Sequence, residues 1–245
     1  MAVHQALDNH ILTLMIDRPA KRNALTIDMY QALIDGLEYA EQDDRIRAVI
    51  ITGQVDCFSA GNDIPDFIAA ASNPERAARP LEFLQTIANF TKPLVAAVAG
   101  DAVGIGTSML LHCDLVYAKS DARFQLPFTK LALVPEGGTS LLMPRQLGHH
   151  LTYELLILGE PFSGERAAQL GLINGTVENP LAFAQQQADK LAKMPAESLK
   201  ISKQMIKAPI QESLNKTLVD EVEQFKKRLT SQEAQAAFMA FMSKG

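Results

Sequence analysis

Lys92-Pro93-Leu94-Val95-Ala96-Ala97-Val98-Ala99-Gly100 is the stretch of sequence that indicates the fold class. A short apolar run between a proline and a glycine is typical of a strand that is buried on both faces of a sheet. Similar runs lie at Ala48–Gly53 and at residues 114–118, and a helical pattern at residues 67–90 separates the first two runs. Strands that alternate with helices are typical of βαβ units, so the sequence predicts an α/β fold with a parallel sheet.

The N-terminal part of the chain predicts a hairpin followed by a helix. Ala6-Leu7 and residues 11–16 are largely apolar, and Asp8-Asn9 between them are frequent turn residues. Thr26 is a suitable N-cap, and apolar residues recur at helical spacing from there to about Ala40. We therefore expect the first long helix to begin directly after Thr26.

Prolines mark the predicted ends of several helices. Residues 67–90 indicate one or two helices, residues 173–177 a last short strand, and residues 181–242 a wholly helical pattern. Because proline lacks a backbone N–H and its ring clashes with the preceding turn, each internal proline is expected to interrupt its helix. The predicted interruptions are Pro74, Pro80, Pro195 and Pro209, with a helix cap at Ser231.

A shift in composition near residue 180 is the candidate domain boundary. We expect an α/β core at residues 1–180 and a helical C-terminal segment at residues 181–245. This segment carries an apolar face that must pack on the core or on a neighbouring subunit. The face includes Leu218, Val222, Phe225 and Leu229.

Composition and charge exclude several classes of protein. The 245 residues are 47% hydrophobic, which is enough for a sizeable core and argues against intrinsic disorder. The 23 basic and 28 acidic side chains give a net charge of −5, which argues against a nucleic-acid-binding surface. Apolar runs fall far short of the ~20 residues that a membrane span needs. A small-molecule substrate is therefore favoured over nucleic acid or membrane.

The cysteines and the chain ends favour a reducing, cytoplasmic location. Cys57 and Cys113 are too few and too far apart for a disulfide framework or a zinc site. The first residues lack the features of a secretory signal, and Ser243-Lys244-Gly245 does not match the peroxisomal address. No histidine pairing suggests a metal ion, so no metal site is expected.

Two turns built of small residues are candidates for anion-binding sites. Ser59-Ala60-Gly61-Asn62-Asp63 and Val103-Gly104-Ile105-Gly106-Thr107 each follow an apolar strand and lead into a predicted helix. Two such turns on adjacent parallel strands can point backbone N–H groups at one place, as an oxyanion hole requires. Ordinary connections between strands and helices remain the alternative interpretation.

Glu136 is the candidate general base. It lies in Val134-Pro135-Glu136-Gly137-Gly138-Thr139-Ser140, after a largely apolar stretch at residues 126–134. A carboxylate in apolar surroundings has a raised pKa and becomes a usable general base. A surface turn is the alternative interpretation of an acid between proline and two glycines.

Other catalytic patterns are weak. None of the serines at 59, 108 and 140 has the two flanking glycines of a nucleophile elbow. His112 fits a buried, hydrogen-bonded side chain, and His149 and His150 fit the start of a surface helix. Gly104-Ile105-Gly106 lacks the third glycine of a dinucleotide-binding motif. Serine hydrolysis and dinucleotide binding are therefore disfavoured.

The ordered set of motifs resembles the crotonase (enoyl-CoA hydratase/isomerase) superfamily, from Leu12 into the C-terminal helices. The motifs are Asp17-Arg18-Pro19 with Asn23-Ala24-Leu25, Phe58-Ser59-Ala60-Gly61-Asn62-Asp63-Ile64, Lys92-Pro93 through Gly106, and Cys113-Asp114. The resemblance implies a superhelix of ββα units with parallel sheets and a helical C-terminal segment. It also implies an acyl-CoA thioester substrate, no cofactor beyond the CoA of that substrate, and homotrimers that often pair into hexamers.

The resemblance also implies roles for individual residues. The backbone N–H groups of Asn62 and Ile105 would form the oxyanion hole. The loop that contains Arg22 would cradle the adenine and phosphates of CoA, and a lysine near the end of the chain would reach the CoA of a neighbouring subunit. The residues that it places on CoA or substrate are Arg22, Ala24, Ala60, Gly61, Asp63, Ile64 and Lys244.

Carboxylates decide which reaction within the family is expected. The hydratases use two glutamates, and the matching positions here hold Ser108 and Phe128, neither of which can act as an acid or base. Glu136 in its Pro-Glu-Gly segment looks like the single base of the peroxisomal-type Δ3,Δ2-enoyl-CoA isomerases. The sequence therefore predicts an isomerase; the alternatives are a hydratase or related acyl-CoA enzyme, and a non-catalytic protein that binds acyl-CoA.

Overall fold

Two β-sheets organise the chain, whose computed structural model describes residues 2–54, 56–70 and 73–242. The larger sheet has the order β1-β2-β3-β5-β7-β10 and the smaller one the order β4-β6-β8-β9. The strands in the described residues are β1 (Val3–Asp8), β2 (Ile11–Ile16), β3 (Ala48–Gly53), β4 (Cys57–Ser59), β5 (Leu94–Val98), β6 (Asp101–Val103), β7 (Leu115–Ala118), β8 (Arg123–Gln125), β9 (Phe162–Ser163) and β10 (Gly175–Thr176).

The larger sheet confirms the strands that the apolar runs predict. β1 and β2 form the antiparallel hairpin, and β2, β3, β5, β7 and β10 run parallel. All five residues of β5 are buried, as expected for a strand covered on both faces. The fold is therefore an α/β fold with a mainly parallel sheet.

Consecutive strands alternate between the two sheets. β3, β5 and β7 belong to the larger sheet, while the strand after each, β4, β6 and β8, joins the smaller one in parallel pairing. This alternation is the ββα superhelix that the resemblance implies. The three-residue strands β4 and β6 are missing from the sequence prediction, because two side chains on one face and one on the other are too few to produce a visible alternation.

Helices surround the sheets and dominate the C-terminal part. In the part of the chain that the structure describes they are α1 (Ile27–Gln42), α2 (Ile64–Ala70), α3 (Pro74–Asn89), α4 (Ile105–Ser108), α5 (Thr139–Leu147), α6 (His149–Tyr153), α7 (Gly164–Gln169), α8 (Pro180–Ala192), α9 (Ala196–Leu229) and α10 (Gln232–Met242). Thr26 is the N-cap of α1, since its hydroxyl accepts from the Met29 N–H at 3.3 Å. None of these helices is long and apolar enough to cross a membrane.

Two of the predicted helix interruptions are wrong. α3 continues through Pro80, and α9 continues through Pro209 for 34 residues. A proline removes one backbone hydrogen bond, while most of the stability of a helix comes from packing. Pro80 is itself buried in the packed face of α3, and α9 buries Leu214 and Leu218 beyond Pro209, so both helices stay continuous.

The apolar face of the C-terminal segment packs on the core of the same chain. Leu214, Leu218 and Val222 of α9 belong to the main hydrophobic cluster. Farther along, Phe225 and Leu229 join a second cluster that also contains α10. Members of this second cluster from before the segment include Leu126, Phe128, Leu133 and Met143. The end of α9 and α10 therefore pack on residues that follow β8.

Candidate active site

A cavity of about 570 Å³ lies between the turns after β4 and β6 and the C-terminal helices. The sequence-predicted residues that line it are Arg22, Ala60, Gly61, Asn62, Ile64, Ile105 and Glu136. Apolar side chains from the second cluster and from the C-terminal helices complete the wall, including Phe128, Leu133, Phe225 and Ala237. One cavity therefore brings together the two small-residue turns and the candidate base.

The two turns lie side by side because they follow adjacent parallel strands. Ser59 of β4 pairs with Ala102 of β6, so each chain leaves the smaller sheet at the same edge. A Cβ on Gly106 would lie 2.7 Å from the Ser59 carbonyl oxygen, so glycine is required for this approach. The apolar runs predict that these turns follow strands of the larger sheet, whereas in the structure they follow β4 and β6 of the smaller sheet.

The backbone N–H groups of Asn62 and Ile105 are available to a ligand. Within the described residues, neither donates a hydrogen bond to a protein acceptor. Ile105 begins α4, where the first N–H groups have no partner inside the helix. Its side chain belongs to the main cluster, and the residue also lines the cavity. These two groups have the chemistry of an oxyanion hole.

Glu136 is buried at the cavity wall with 3% of its surface exposed. Its Oε1 accepts a hydrogen bond from the Asn62 side-chain Nδ2 at 3.1 Å, and the Tyr30 hydroxyl donates to Asn62 Oδ1 at 2.5 Å. Tyr30 is fully buried on α1. Asn62 thus lines the cavity with a backbone N–H that has no acceptor among the described residues, and its side-chain amide orients Glu136.

Burial is the main reason why the pKa of Glu136 rises to about 8 from its usual value near 4.5. The negative charge of Glu221 adds to the rise, and the hydrogen bond from Asn62 opposes it. The side chain is therefore mostly protonated at pH 7 in the free protein, and its ionised form is a stronger base than an exposed glutamate.

The turn after Glu136 is held from both sides. His112 Nε2 donates to the Gly137 carbonyl oxygen at 2.8 Å, and burial lowers the pKa of His112 to about 4, so the ring is neutral. The predicted buried, hydrogen-bonded His112 is confirmed. On the other side, Glu221 of α9 accepts from the Gly138 N–H at 2.7 Å and from the Ser140 N–H at 2.9 Å.

Sequence reasoning missed Glu221, although the sequence holds a signal for it. Leu214, Leu218, Glu221, Val222 and Phe225 follow one another at helical spacing, and all five are buried. An acidic residue inside such an apolar stripe must find partners, because an unpaired buried charge is costly. The position of Glu221 among these apolar residues therefore predicts that its side chain reaches an internal polar site.

Two of the residues predicted to bind CoA do not line the cavity, and a third lies outside the described residues. Ala24 uses its carbonyl oxygen to accept from Arg18, at 2.9 Å. Asp63 is ion-paired with Arg18 at 2.7 Å and accepts from the Asp66 N–H at 3.0 Å, so its carboxylate caps α2. Lys244 lies outside the described residues. The first two residues stabilise the loop that carries Arg22.

Cationic side chains gather at the rim of the cavity. Arg22 pairs with Asp101, Arg123 lies 3.9 Å from the same carboxylate, and Lys130 pairs with Glu160 at 2.6 Å. All three cations line the cavity. Arginine and lysine are the usual partners of phosphate groups. Among the described residues, no group of three or more His, Cys, Asp and Glu side chains is arranged to hold a metal ion.

The burial of Glu136 predicts a pH-dependent effect on stability. Between its unfolded pKa near 4.5 and its folded pKa of about 8, the folded chain holds a proton that the unfolded chain releases, so stability falls as pH rises through this window. Glu136→Gln removes this loss. We expect the free energy of unfolding of the variant to exceed that of the wild type by on the order of 3 kcal/mol at pH 8 and by much less at pH 5. Urea unfolding at the two pH values measures the difference. A difference that is the same at both pH values would contradict the buried, protonated state.

The sequence of the chain matches the model of a known protein family. The family model described as enoyl-CoA hydratase/isomerase matches residues 7–245. The chain belongs to this family, which is the crotonase superfamily that the sequence motifs indicate.

Individual relatives carry different activities in their names. The chain is 34% identical to enoyl-CoA delta isomerase 2 of Rattus norvegicus, over 96% of this chain and 61% of that protein. It is 31% identical to 2,3-dehydroadipyl-CoA hydratase of Escherichia coli, over 96% of this chain and 92% of that protein. The structure of OdaA from Pseudomonas aeruginosa is similar with a TM-score of 0.95 and 42% identity over 98% of both chains. The chain thus spans about three-fifths of the length of the rat isomerase.

Proposed function

We propose that the protein is an enoyl-CoA isomerase that converts a 3-enoyl-CoA into a 2-enoyl-CoA with Glu136 as its single base. The observation that carries the proposal is the position of Glu136, a buried carboxyl group at the wall of a cavity that Asn62 and Ile105 also line. The backbone N–H groups of these two residues have no protein acceptor within the described residues. The other carboxylate that lines this cavity among the described residues is Asp101, which is paired with Arg22 at the rim.

The reaction needs one proton to move between two carbons. The Glu136 carboxylate takes a proton from C2, the electrons of that C–H bond form a C1=C2 bond, and the carbonyl π electrons move to the thioester oxygen, which gives a dienolate that still holds the C3=C4 bond. The N–H groups of Asn62 and Ile105 stabilise the negative charge on the thioester oxygen. A single donor of this kind contributes about 3–4 kcal/mol. Glu136 then returns the proton to C4, where the C3=C4 electrons bond it, while the C1=C2 electrons form the C2=C3 bond and the thioester carbonyl forms again.

The cavity wall disfavours the addition of water. Hydration needs a water molecule that is held and activated beside C3, which the two glutamates do in the hydratases that the sequence resembles. Phe128 is buried in the wall and Ser108 is buried behind the turn at Gly137, so neither supplies a carboxylate. An apolar ring at this place favours proton transfer without water.

The same arrangement supports a location for the CoA group. Arg22, Arg123 and Lys130 at the rim would bind its phosphates, and the turn at Ala60 and Gly61 would contact its pantetheine arm. The acyl chain would lie against Phe128, Leu133 and the C-terminal helices. The assembly into trimers or hexamers through residues 181–245, with Lys244 reaching a neighbour's CoA, belongs to the same proposal.

Product analysis tests the proposed function. The protein is incubated with 3-enoyl-CoA and, separately, with 2-enoyl-CoA thioesters of several chain lengths, and the products are separated by chromatography. We expect the first to yield 2-enoyl-CoA and the second to yield little 3-hydroxyacyl-CoA. Hydration without isomerisation would overturn the proposal in favour of a hydratase, to which a named relative at 31% identity points. Binding without any turnover would identify a non-catalytic acyl-CoA-binding protein.

A further inference from the structure

The carboxylate of Glu221 enters the turn after Glu136 from a distant part of the chain. It is 8% exposed and accepts three hydrogen bonds, from the Gly138 N–H at 2.7 Å, from the Ser140 N–H at 2.9 Å and from the Ser140 hydroxyl at 2.5 Å. We propose that Glu221 is a positioning residue, which fixes the turn that carries Glu136 and whose negative charge strengthens Glu136 as a base. This inference rests on the proposed isomerase function.

Two glycines shape the turn between Glu136 and α5. Gly137 and Gly138 both have positive φ, at 79° and 74°, and they lead directly into α5. The N-terminus of α5 has no side-chain cap from its own N-cap residue. Because the first N–H groups of a helix have no partner within it, an acceptor must come from elsewhere. Glu221 supplies this acceptor, and its negative charge is also favourable at a helix N-terminus.

The two buried carboxyl groups, Glu136 and Glu221, differ in how readily they ionise. Burial raises the pKa of Glu221, and the hydrogen bonds from Ser140 and Gly138 oppose this rise. Glu136 has a single described donor, Asn62, and its pKa is raised by burial and by the charge of Glu221. When two carboxyl groups interact, the one with more donors ionises first. Glu221 is therefore the charged member of the pair, and Glu136 holds the proton.

Tyr30 and His112, two titratable groups around the turn, are neutral near pH 7. Burial raises the pKa of Tyr30, on α1, well above its usual value near 10, and burial lowers the pKa of His112 to about 4. On α9, Lys207 donates to the Ala88 carbonyl oxygen at 3.0 Å, and its charge affects His112. Within the described residues, the charge that acts on Glu136 is that of Glu221.

Three variants separate the charge of Glu221 from its hydrogen bonds. Glu221→Gln removes the charge and keeps the size of the side chain. Glu221→Asp keeps the charge and shortens the reach to the turn. Glu223→Gln is the matched control, because Glu223 is an exposed glutamate on the same helix.

The pH dependence of kcat/KM for 3-enoyl-CoA isomerisation is the readout. We expect the acidic midpoint to fall by about one pH unit in Glu221→Gln and to stay near the wild-type value in Glu221→Asp and Glu223→Gln. We expect kcat at the optimal pH to fall about tenfold in both Glu221 variants and to stay unchanged in the control. An unchanged midpoint in Glu221→Gln would overturn the proposal, since loss of structure alone lowers activity without moving the midpoint.

A second readout does not depend on activity. In protein labelled with ¹³C at the glutamate carboxyl carbon, the Glu136 resonance is assigned by its absence in Glu136→Gln and then titrated with pH. A lower midpoint in Glu221→Gln supports the proposal even if no isomerisation is found, in which case the proposed function fails alone. The same midpoint in Glu221→Gln and wild type overturns the role of Glu221 whatever the reaction is.

Discussion

Replacing Glu136 by glutamine is expected to reduce kcat/KM for 3-enoyl-CoA isomerisation by about 10³-fold. Glutamine keeps the size of the side chain and accepts the hydrogen bond from Asn62, but it cannot take a proton from C2. Because the cavity and the two backbone N–H groups remain, the dissociation constant for a saturated acyl-CoA should change by less than about threefold. Steady-state kinetics and isothermal titration calorimetry measure the two quantities.

Glu223→Gln serves as the control, since it removes an exposed glutamate from the same protein. We expect wild-type kinetics for this variant. Isomerisation by Glu136→Gln at the wild-type rate would show that another group removes the proton. Equal loss of binding and of turnover would instead indicate that the substitution disrupts the cavity.

Replacing Gly137 by alanine is expected to lower both stability and turnover. Gly137 has φ of 79°, and a Cβ there would lie 2.8 Å from Ser108 Oγ and 2.9 Å from Ser108 Cβ. Ser108 is fully buried and has little room to move. We expect the free energy of unfolding to fall by about 3 kcal/mol and kcat to fall about 10²-fold, because the turn must shift and Glu136 with it.

Gly148→Ala is the matched control for this prediction. Gly148 has the same φ of 79°, and nothing lies within 4 Å of its added Cβ. We expect it to lose about 1 kcal/mol through backbone strain and to keep wild-type kcat. Thermal unfolding and isomerase assays on both variants separate strain from contact. If Gly137→Ala loses no more unfolding free energy and no more kcat than Gly148→Ala, the turn at Gly137 is not held as tightly as its contacts indicate.

Much of the larger sheet could be predicted from the sequence because each strand is a buried apolar run. β3 and β5 are buried on both faces, so almost every residue in them must be apolar and the pattern is strong. β4 and β6 have three residues each, and their position depends on pairing with each other across the chain. Such short strands leave no periodic signal in the sequence.

Tertiary packing keeps two helices continuous through prolines that local sequence rules would treat as helix breaks. Pro80 lies in the buried face of α3, beside Phe83 and Leu84, and Pro209 lies within the 34 residues of α9. A residue-by-residue interpretation assigns a break to each proline. Packing on the core offsets one lost hydrogen bond, and this contribution is visible only once the neighbouring elements are in place.

The candidate site was partly accessible from the sequence. Asn62, Ile105 and Glu136 are distant in the chain but face one cavity, as the motif order predicts, while their catalytic roles stay predictions. The side-chain links that orient Glu136 were not accessible, because Tyr30 and Glu221 reach it from helices α1 and α9. A single sequence does not reveal which helix face meets a turn more than 80 residues away, as Glu221 and Gly138 do at a separation of 83.

The transfer of label between two carbons tests the central claim most directly. A 3-enoyl-CoA that carries deuterium at C2 is converted in ordinary water in a single turnover, and the 2-enoyl-CoA product is examined by mass spectrometry and NMR. In the proposed mechanism one buried carboxyl group carries the proton from C2 to C4, so we expect deuterium at C4 in a substantial part of the product. Product with only hydrogen at C4 would contradict it, since a second group or water would then supply that proton.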